Sequence, residues 1–464
     1  MSVAPVRAQA DRWVEARGGD LVVVSDAGVL RARETFDRFA RIRGMLGRVL
    51  SDARFEPRKP VVIYAVDGER GLRQLVPQFW EQRGRRPAAA YWAGPHRHYI
   101  AFRIDASDRE LDRRALHEYA HLMMHERVSE VPAWLDEGMS EFWSSAAVRD
   151  DVLEVGQPLR RHLRTLRGRT WIPLDELLAM TRTPDPRDTR RLSLFYAQSW
   201  LLAHYLLLGW SSASLEIAPT LTPADIAHMK RTLAGYAGST LRTIRIGVPP
   251  ATAGGSDEPA PPPALRSLAR AEALAIRAQG LLDGERPMAA SPVLKEALGL
   301  DQDAAVVLEC LGYFYFRQNQ SREAADAFDR AIRGGSASYL AYYYRAVLSD
   351  RRNGENSIES DLRRAIELNP AFATAYARLA DFYVQLERLE PALPLMRSAV
   401  ALEPGYALYW VDLGRLLLRL NRPVEAREAG EQGLAAVGER GSRGAIEAFL
   451  KDLARAQTDG PIPQ

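Results

Sequence analysis

The residues best suited to catalysis lie in a short stretch that reads HEYAH, residues 117–121. On a helix, His117 and His121 lie one turn apart on the same face, so both imidazoles can reach one tetrahedral Zn²⁺ ion. Glu118 lies beside them, and in such a site its carboxylate is the general base for the water that the metal activates. The motif therefore predicts a site for one zinc ion.

A zinc ion used for hydrolysis needs three protein ligands and one open position, so a third ligand is required. The segment VPAWLDEGMSEFW, residues 131–143, begins a second helix and supplies Glu137 as the candidate. Asp136 and Glu141 are competing carboxylates in the same segment. Glu141 lies one turn further along the same face, from where it could instead hydrogen-bond one of the two histidines.

HEYAH followed by WLDEG resembles the gluzincins of the peptidase MA superfamily. In that family the Glu of a W-L-x-E-G segment is the third zinc ligand, which in this chain is Glu137. The resemblance implies a zincin-like α+β fold and cleavage of peptide bonds. No GAMEN-type exopeptidase signature is present, so we expect an endopeptidase.

A later segment, YAQSW, resembles bacterial peptidase MA-like proteins that often carry tetratricopeptide repeats. Gluzincins commonly place a Tyr or a His beyond the Glu ligand, where it stabilises the oxyanion. Tyr196 is therefore the candidate for this role, and His204 is the second candidate. The alternative is that Tyr196 is a core residue of an apolar helix with a satisfied hydroxyl.

The elements that must position these residues follow from the pattern of the first half, residues 1–246. Short β-branched runs at 21–24, 61–64 and 98–104 alternate with amphipathic stretches, which predicts an α+β domain. The run 98–104 directly precedes the HEYAH helix, where zincins resemble one another in presenting an edge strand to an extended substrate. The stretch 247–264 is rich in Pro, Gly and Ala, which predicts a linker and the domain boundary.

The second half repeats at an interval of 34 residues, and small residues recur in register at Gly312, Ala346, Ala380 and Gly414. This pattern resembles the tetratricopeptide repeat, in which small side chains let paired helices pack closely and bulky ones fill the gaps. The resemblance implies an all-α solenoid. Its expected parts are a domain at 265–456, clear units at 305–338, 339–372, 373–406 and 407–440, a degenerate unit at about 271–304, and a capping helix at 443–456.

Stacked helix pairs form a concave surface that can hold a peptide or a partner protein. By their place in the unit, Tyr313, Phe316 and Tyr343 are candidates to line that surface. The alternative is that these aromatic side chains only pack neighbouring repeats against one another. The repeats therefore predict a protein partner, with the lining residues left open.

Composition excludes several classes of partner. The chain has 464 residues, with 62 basic and 59 acidic side chains, and a formal charge of +3 gives no reason to expect nucleic acid or anionic lipid. Cys310 is the only cysteine, so a zinc site built on several thiolates is excluded. The sequence has no run of about eighteen apolar residues, so no membrane span is expected.

The N-terminal sequence leaves localisation open. Residues 1–10 lack the apolar middle of a secretory signal, yet Ala8-Gln9-Ala10 resembles a signal-peptidase site. The protein is cytoplasmic as written, or periplasmic or secreted if this start is a truncated signal peptide.

Three functions are compatible with these features. The leading hypothesis is a zinc peptidase whose repeats bind a protein. The first alternative is an interaction scaffold with a catalytically idle zinc-binding domain, although an idle domain has no use for Glu118. The second alternative is a zinc hydrolase acting on a non-peptide amide or ester, which the same ligands would serve.

Overall fold

A computed structural model describes residues 13–49, 57–81, 86–127, 131–149, 152–210, 221–247, 262–349, 355–437 and 443–458. The predicted signal-peptidase site and most of the predicted linker lie outside these residues. The chain divides into two compact units. The first comprises Met1–Ala273 and Asp283–Ala289, and the second comprises Leu274–Leu282 and Ala290–Gln464.

The first unit contains a mixed six-stranded sheet and a smaller antiparallel sheet. The strands are β1 (Val14–Gly18), β2 (Leu21–Ser25), β3 (Val61–Val66), β4 (Ala89–Ala93), β5 (His98–Arg103), β6 (Ala147–Arg149), β7 (Val152–Val155), β8 (Ile244–Gly247) and β9 (Ala264–Ser267). The large sheet has the order β4-β5-β3-β2-β1-β9, and the small one has the order β6-β7-β8. β3 is parallel to both β2 and β5, and its six residues VVIYAV are all buried, as expected for a central strand. The three predicted strands are present.

The helices of the first unit carry the candidate catalytic residues. They are α1 (Val29–Val49), α2 (Glu69–Leu75), α3 (Gln78–Glu81), α4 (Asp108–Arg127), α5 (Ala133–Ser144), α6 (Arg160–Leu166), α7 (Leu174–Ala179), α8 (Thr189–His204) and α9 (Pro223–Gly238). α8 continues into a π-helical segment, Tyr205–Gly209. α4 follows β5 directly and buries Leu111, Ala115 and Leu116 in the core, which holds this helix against the sheet.

The prediction that residues 98–104 form an edge strand is wrong. β5 lies between β3 and β4, and β4 is the edge of the sheet, paired antiparallel with β5. The sequence pattern identifies a strand but does not identify its neighbours, because pairing depends on residues far away in the chain. The edge strand nearest to the HEYAH helix is therefore Ala89–Ala93.

The predicted domain boundary also differs from the structure. β9 begins at Ala264 and pairs antiparallel with β1, so the chain returns to the large sheet after the Pro-rich stretch. The first unit consequently extends to Ala273 instead of ending before the stretch. The composition of 247–264 indicates where regular structure stops, but it carries no information about where the chain goes next.

From residue 270 onward the chain is mainly helical. The helices are α10 (Arg270–Asp283), α11 (Pro287–Leu300), α12 (Ala305–Arg317), α13 (Ser321–Arg333), α14 (Tyr339–Leu348), α15 (Glu355–Leu368), α16 (Ala373–Gln385), α17 (Leu389–Leu402), α18 (Ala407–Arg419), α19 (Pro423–Val437) and α20 (Arg443–Thr458). The first helix of each clear predicted unit begins at the first residue of that unit. No helix within the described part of the chain is long and apolar enough to span a membrane.

The helix pairs owe their close packing to the small residues in register. A Cβ atom on Gly312 of α12 would lie 2.9 Å from the ring of Phe328 on α13, so any larger side chain would push the two helices apart. The turns also follow the period. Glu285, Asn319, Glu387 and Asn421 have positive φ angles of 57–59°, and each links the two helices of one pair.

Candidate metal centre

Three helices of the first unit bring the candidate residues together. α5 packs against both α4 and α8, so residues from distant parts of the sequence face one another. Gly138, directly after Glu137, makes this possible, because a Cβ atom there would overlap the backbone oxygen of Ser199 on α8. The glycine of the WLDEG segment thus lets α8 approach the helix that carries the third candidate ligand.

His117, His121 and Glu137 converge on one point. The Nε2 atoms of the two histidines are 3.3 Å apart, and each lies 3.7 Å from Oε2 of Glu137. In a tetrahedral site with metal–ligand bonds of about 2.0–2.1 Å, neighbouring ligand atoms are about 3.3–3.4 Å apart. The distance between the two histidine nitrogens matches this spacing, and the two distances to Glu137 exceed it by about 0.3 Å, so the triangle is close to the size of a tetrahedral site.

The hydrogen-bonding state of these atoms also fits a cation. Oε2 of Glu137 is buried and has no hydrogen-bond partner among the described residues. A buried carboxylate oxygen without a donor is costly, and a divalent cation would satisfy it. Two imidazoles and one carboxylate are the donor set of hydrolytic zinc sites, so the residues present fit this metal.

His121 is oriented by Asp136. Nδ1 of His121 lies 2.7 Å from Oδ1 of Asp136, and Nε2 of His125 lies 3.2 Å from the other carboxylate oxygen. Because a carboxylate can only accept, Nδ1 of His121 carries a proton, and Nε2 is the nitrogen left to bind a metal. Tyr91 stacks on the same imidazole with ring centroids 6.1 Å apart. Asp136 thus contacts the ring nitrogen of His121 that is turned away from His117 and Glu137.

The predicted hydrogen bond from Glu141 to one of the ligand histidines is not found. The Glu141 carboxylate accepts a hydrogen bond from Arg161 Nη2 and lies 3.3 Å from Nε2 of His162. Both partners belong to α6, and no pattern in the sequence predicts that α6 lies near α5. The role predicted for Glu141 belongs to Asp136 instead.

The structure distinguishes between the two candidates for the oxyanion role, Tyr196 and His204. The Tyr196 hydroxyl donates a 3.2 Å hydrogen bond to Oε1 of Glu137, so the side chain reaches the candidate metal centre. His204 is fully buried and bonds to the Tyr236 hydroxyl at 2.7 Å and the Gly156 carbonyl at 3.0 Å. His204 is therefore a satisfied core histidine. The prediction of an oxyanion role stays with Tyr196 alone.

Burial dominates the electrostatics of the cluster. It raises the pKa of Glu118 to about 8 and the pKa of Glu137 to about 7, because charged carboxylates lose their hydration there. Burial, helped by the charge of His121, lowers the pKa of His117 to about 3. For His121, burial acts in the same direction, but Asp136 and Glu137 outweigh it and raise the pKa to about 10. The cluster holds more acidic groups than its own histidines can neutralise.

The cluster opens into a cavity of about 280 Å³. His117, Glu118 and Tyr196 line it together with Ala88 and Ala89 at the start of the edge strand β4. The base candidate Glu118 and the candidate ligand His117 therefore face a space where a substrate could lie beside an edge strand. The sequence identified the HEYAH residues, but not β4, because its short run AAYWA lacks a marked alternation.

The aromatic residues proposed for the concave surface of the repeats mainly pack against one another. Tyr313 is buried, with its ring centroid 5.4 Å from that of Tyr344. Phe316 packs on the same tyrosine at 4.6 Å, and Tyr343 packs on Phe372 at 5.1 Å. These contacts within the second unit favour the alternative interpretation, in which the rings stabilise neighbouring repeats.

Comparison with known proteins concerns the repeats. A family model of the tetratricopeptide repeat matches residues 373–406, which coincide with the third predicted unit. Similar solved structures include YrrB, described as a TPR protein with an unusual peptide-binding site (21% identity, 38% of this chain, 90% of that chain, TM-score 0.32). MamA from Desulfovibrio magneticus RS-1 is 21% identical, covers 41% of this chain and 98% of its own, and has a TM-score of 0.31. PilF from Pseudomonas aeruginosa is 16% identical, covers 40% of this chain and 88% of its own, and has a TM-score of 0.34. No curated protein matches the chain.

The match identifies residues 373–406 as a tetratricopeptide repeat and supports the repeat interpretation of the helix pairs around it. Repeats of this class bind other proteins, so a protein partner is the expected ligand of the second unit. The candidate metal centre belongs to the first unit and stands on its own geometry.

Proposed function

We propose that the first unit is a zinc-dependent peptidase of the gluzincin type and that the repeats bind a protein partner or substrate. The observation that carries this proposal is the convergence of His117, His121 and Glu137 beside a cavity that His117 and Glu118 line. A zinc ion held by these three ligands would polarise the scissile carbonyl and activate a water molecule.

The residues around the cluster then have separate tasks. Glu118 would accept the proton of the attacking water, because its carboxylate lines the same cavity as His117. Asp136 fixes the imidazole of His121 so that its lone pair faces the metal position. Tyr196, beside Glu137, can turn its hydroxyl toward the oxyanion that develops on the carbonyl. An extended peptide would add to the free side of β4.

An interaction scaffold with an idle metal-binding unit is the second candidate. The family match favours it, because that match concerns a repeat and no catalytic unit. The buried base Glu118 favours the peptidase, since metal binding alone does not need this carboxylate. The two functions make opposite predictions for one variant.

The decisive experiment measures metal content and cleavage of a mixed peptide library with full-length zinc-loaded protein and with Glu118→Gln. The peptidase predicts that the variant keeps its zinc and loses about 10²–10⁴-fold in turnover, the usual contribution of a general base. Zinc binding without any cleavage by the wild type would support the scaffold. Equal turnover in both proteins would remove Glu118 from its role.

A further inference from the structure

The cavity beside the candidate metal centre is lined by an unusual concentration of arginine. The arginines are contributed by α4, by α6 and by the segment before β4: Arg86, Arg113, Arg114 and Arg161. Three acidic residues, Glu110, Glu118 and Glu141, line the same space. Four guanidinium groups therefore share this lining with three carboxylates.

Glu110 alone is shared by two of the guanidinium groups. It accepts hydrogen bonds from Nε and Nη2 of Arg113, both at 2.9 Å, and from Nε of Arg114 at 3.2 Å. The hydrogen bonds from Arg113 lower the pKa of Glu110 to about 2, so this carboxylate is ionised. One negative charge therefore faces two positive charges, one turn of α4 before the ligand His117.

Both arginines keep donors for another acceptor. A guanidinium has five N–H groups in a planar fork, and Glu110 takes only two from Arg113. Arg114 gives Nε to Glu110 and Nη1 to the Arg103 carbonyl, and its Nη2 has no acceptor among the described residues. Their side chains are 30% and 16% exposed, so they are held in place and still reachable from the cavity.

Arg161 and Arg86 add to this charge from other parts of the cavity wall. Arg161 is paired with Glu141, whose carboxylate also lies within 3.3 Å of His162. Arg86 is paired with Glu69 at 2.6 Å, and Glu69 also accepts a hydrogen bond from Trp80 at 2.8 Å. Each of these two pairs is balanced by itself, so the positive excess of the lining comes from Arg113 and Arg114, which share Glu110.

We infer that the cleft selects substrates with a carboxylate close to the scissile bond, bound by Arg113 and Arg114. This carboxylate is an Asp or Glu side chain or the C-terminus of the peptide. The fork of a guanidinium binds carboxylates through two parallel hydrogen bonds, and such charge-assisted bonds are about twice as strong as neutral ones. The inference rests on the proposed function, because it names the substrate class of the same cleft.

The experiment uses full-length zinc-loaded protein and a peptide series of one sequence. Glu, Gln or Lys is placed in turn at each position within two residues of the cleaved bond, and every peptide is made with a free and with an amidated C-terminus. The variants are Arg113→Gln and Arg114→Gln. Arg109→Gln is the matched control, because Arg109 lies on the same helix, is exposed and does not line the cavity.

Wild type is expected to cleave the Glu peptide, or the peptide with a free C-terminus, with a kcat/KM about tenfold above its neutral counterpart. The ratio should fall to within about threefold of unity in Arg113→Gln and in Arg114→Gln, and should persist in Arg109→Gln. Amidation identifies which carboxylate is recognised. Two variants are used so that misfolding of one, detected by its melting temperature, leaves the other as the test.

A binding measurement separates this inference from the proposed function. Fluorescent versions of the same peptides are titrated into Glu118→Gln protein, which reports charge selectivity without turnover. Preferential binding of acidic peptides with no cleavage by wild type would keep this inference and remove the peptidase. Cleavage with equal rates for Glu and Gln peptides, free or amidated, would overturn this inference and keep the peptidase. Neither binding nor cleavage of any peptide would overturn both.

Discussion

Each unit of the protein buries a group of charged side chains, and the two groups are balanced in different ways. In the second unit, Arg345 donates to Asp361 at 2.6 and 2.7 Å and to Asp329 at 3.1 Å, so the cation and the buried Asp361 have partners. In the first unit, Glu137 keeps one buried oxygen without a partner among the described residues, and burial raises its pKa. A buried charged group that has partners is compatible with a stable fold. One without a partner lowers the free energy of unfolding, and a ligand that pairs with it can offset this loss.

This difference distinguishes a charged residue that serves the fold from one that serves a function. Arg345 occupies a position that is apolar in the neighbouring units, where the same place in the 34-residue period holds Leu311, Leu379 and Leu413. The repeat tolerates the arginine because aspartates on two adjacent helices neutralise it. Asp136 and Glu141 have basic partners, whereas Oε2 of Glu137 has no hydrogen-bond partner among the described residues, and this buried oxygen is the physical reason for proposing a cation at this site.

The largest expected effect tests whether a metal completes the unbalanced cluster. A ligand that binds only the folded state stabilises it by about 2.7 kcal/mol when its concentration is a hundred times its Kd. Zinc should therefore raise the melting temperature of the wild type relative to protein in chelator. In Glu137→Gln this rise should disappear, because the amide is a poor zinc ligand.

The stability of the same variant without metal, measured in the presence of a chelator, is a second test of the assignment. Without metal, Glu137→Gln should be at least as stable as wild type, because a neutral amide removes a buried acid from the vicinity of Asp136 and Glu141 and can still accept from Tyr196. Thermal unfolding followed by circular dichroism measures both arms. Equal stabilisation by zinc in wild type and variant would contradict the assignment of Glu137 as a ligand.

How far the sequence predicts each unit follows from the range of its contacts. The repeat helices begin at Ala305, Tyr339, Ala373 and Ala407, as the period predicts, because each helix pair packs on its sequence neighbours. The proximity of His117 and His121 is equally predictable from the sequence, since residues one helical turn apart lie on the same face. Local periodicity is sufficient for both, and no knowledge of distant contacts is needed.

The features that sequence reasoning missed depend on distant contacts. β4 forms the edge of the sheet, and β9 joins it from beyond the Pro-rich stretch. Strand runs do not encode their partners, so neither could be read from the pattern. The partner of Glu141 was missed for the same reason, because Arg161 reaches it only through the packing of α6 near α5. Asp136 could have been found, since it adjoins a predicted ligand and metal-bound histidines usually have a carboxylate partner.

A smaller effect is expected from the balanced group of the second unit. Arg345→Met leaves Asp361, which is 5% exposed, without its cation, and should lower the free energy of unfolding by about 1–3 kcal/mol. Adding Asp361→Leu should recover most of this loss, because an apolar pair of similar volume is often as stable as a buried ion pair. The matched control is Arg378→Met, whose pair with Asp381 is exposed and should cost less than about 0.5 kcal/mol. Urea unfolding measures all three, and a loss in Arg378→Met as large as in Arg345→Met would contradict the distinction.

The smallest expected effect comes from His204, a buried histidine of the first unit whose two ring nitrogens both have hydrogen-bond partners. Burial lowers the pKa of His204, so the unfolded chain binds a proton more readily than the folded one below the ordinary histidine pKa of about 6.5. Its contribution to stability is therefore complete above pH 6.5 and is lost as the pH falls toward the lowered pKa. His204→Gln cannot take up this proton, so its melting temperature should fall less than that of wild type between pH 7 and pH 5. All of these measurements are made in the presence of a chelator. Parallel curves for the two proteins would mean that His204 keeps an ordinary pKa and that burial does not hold it in the neutral form.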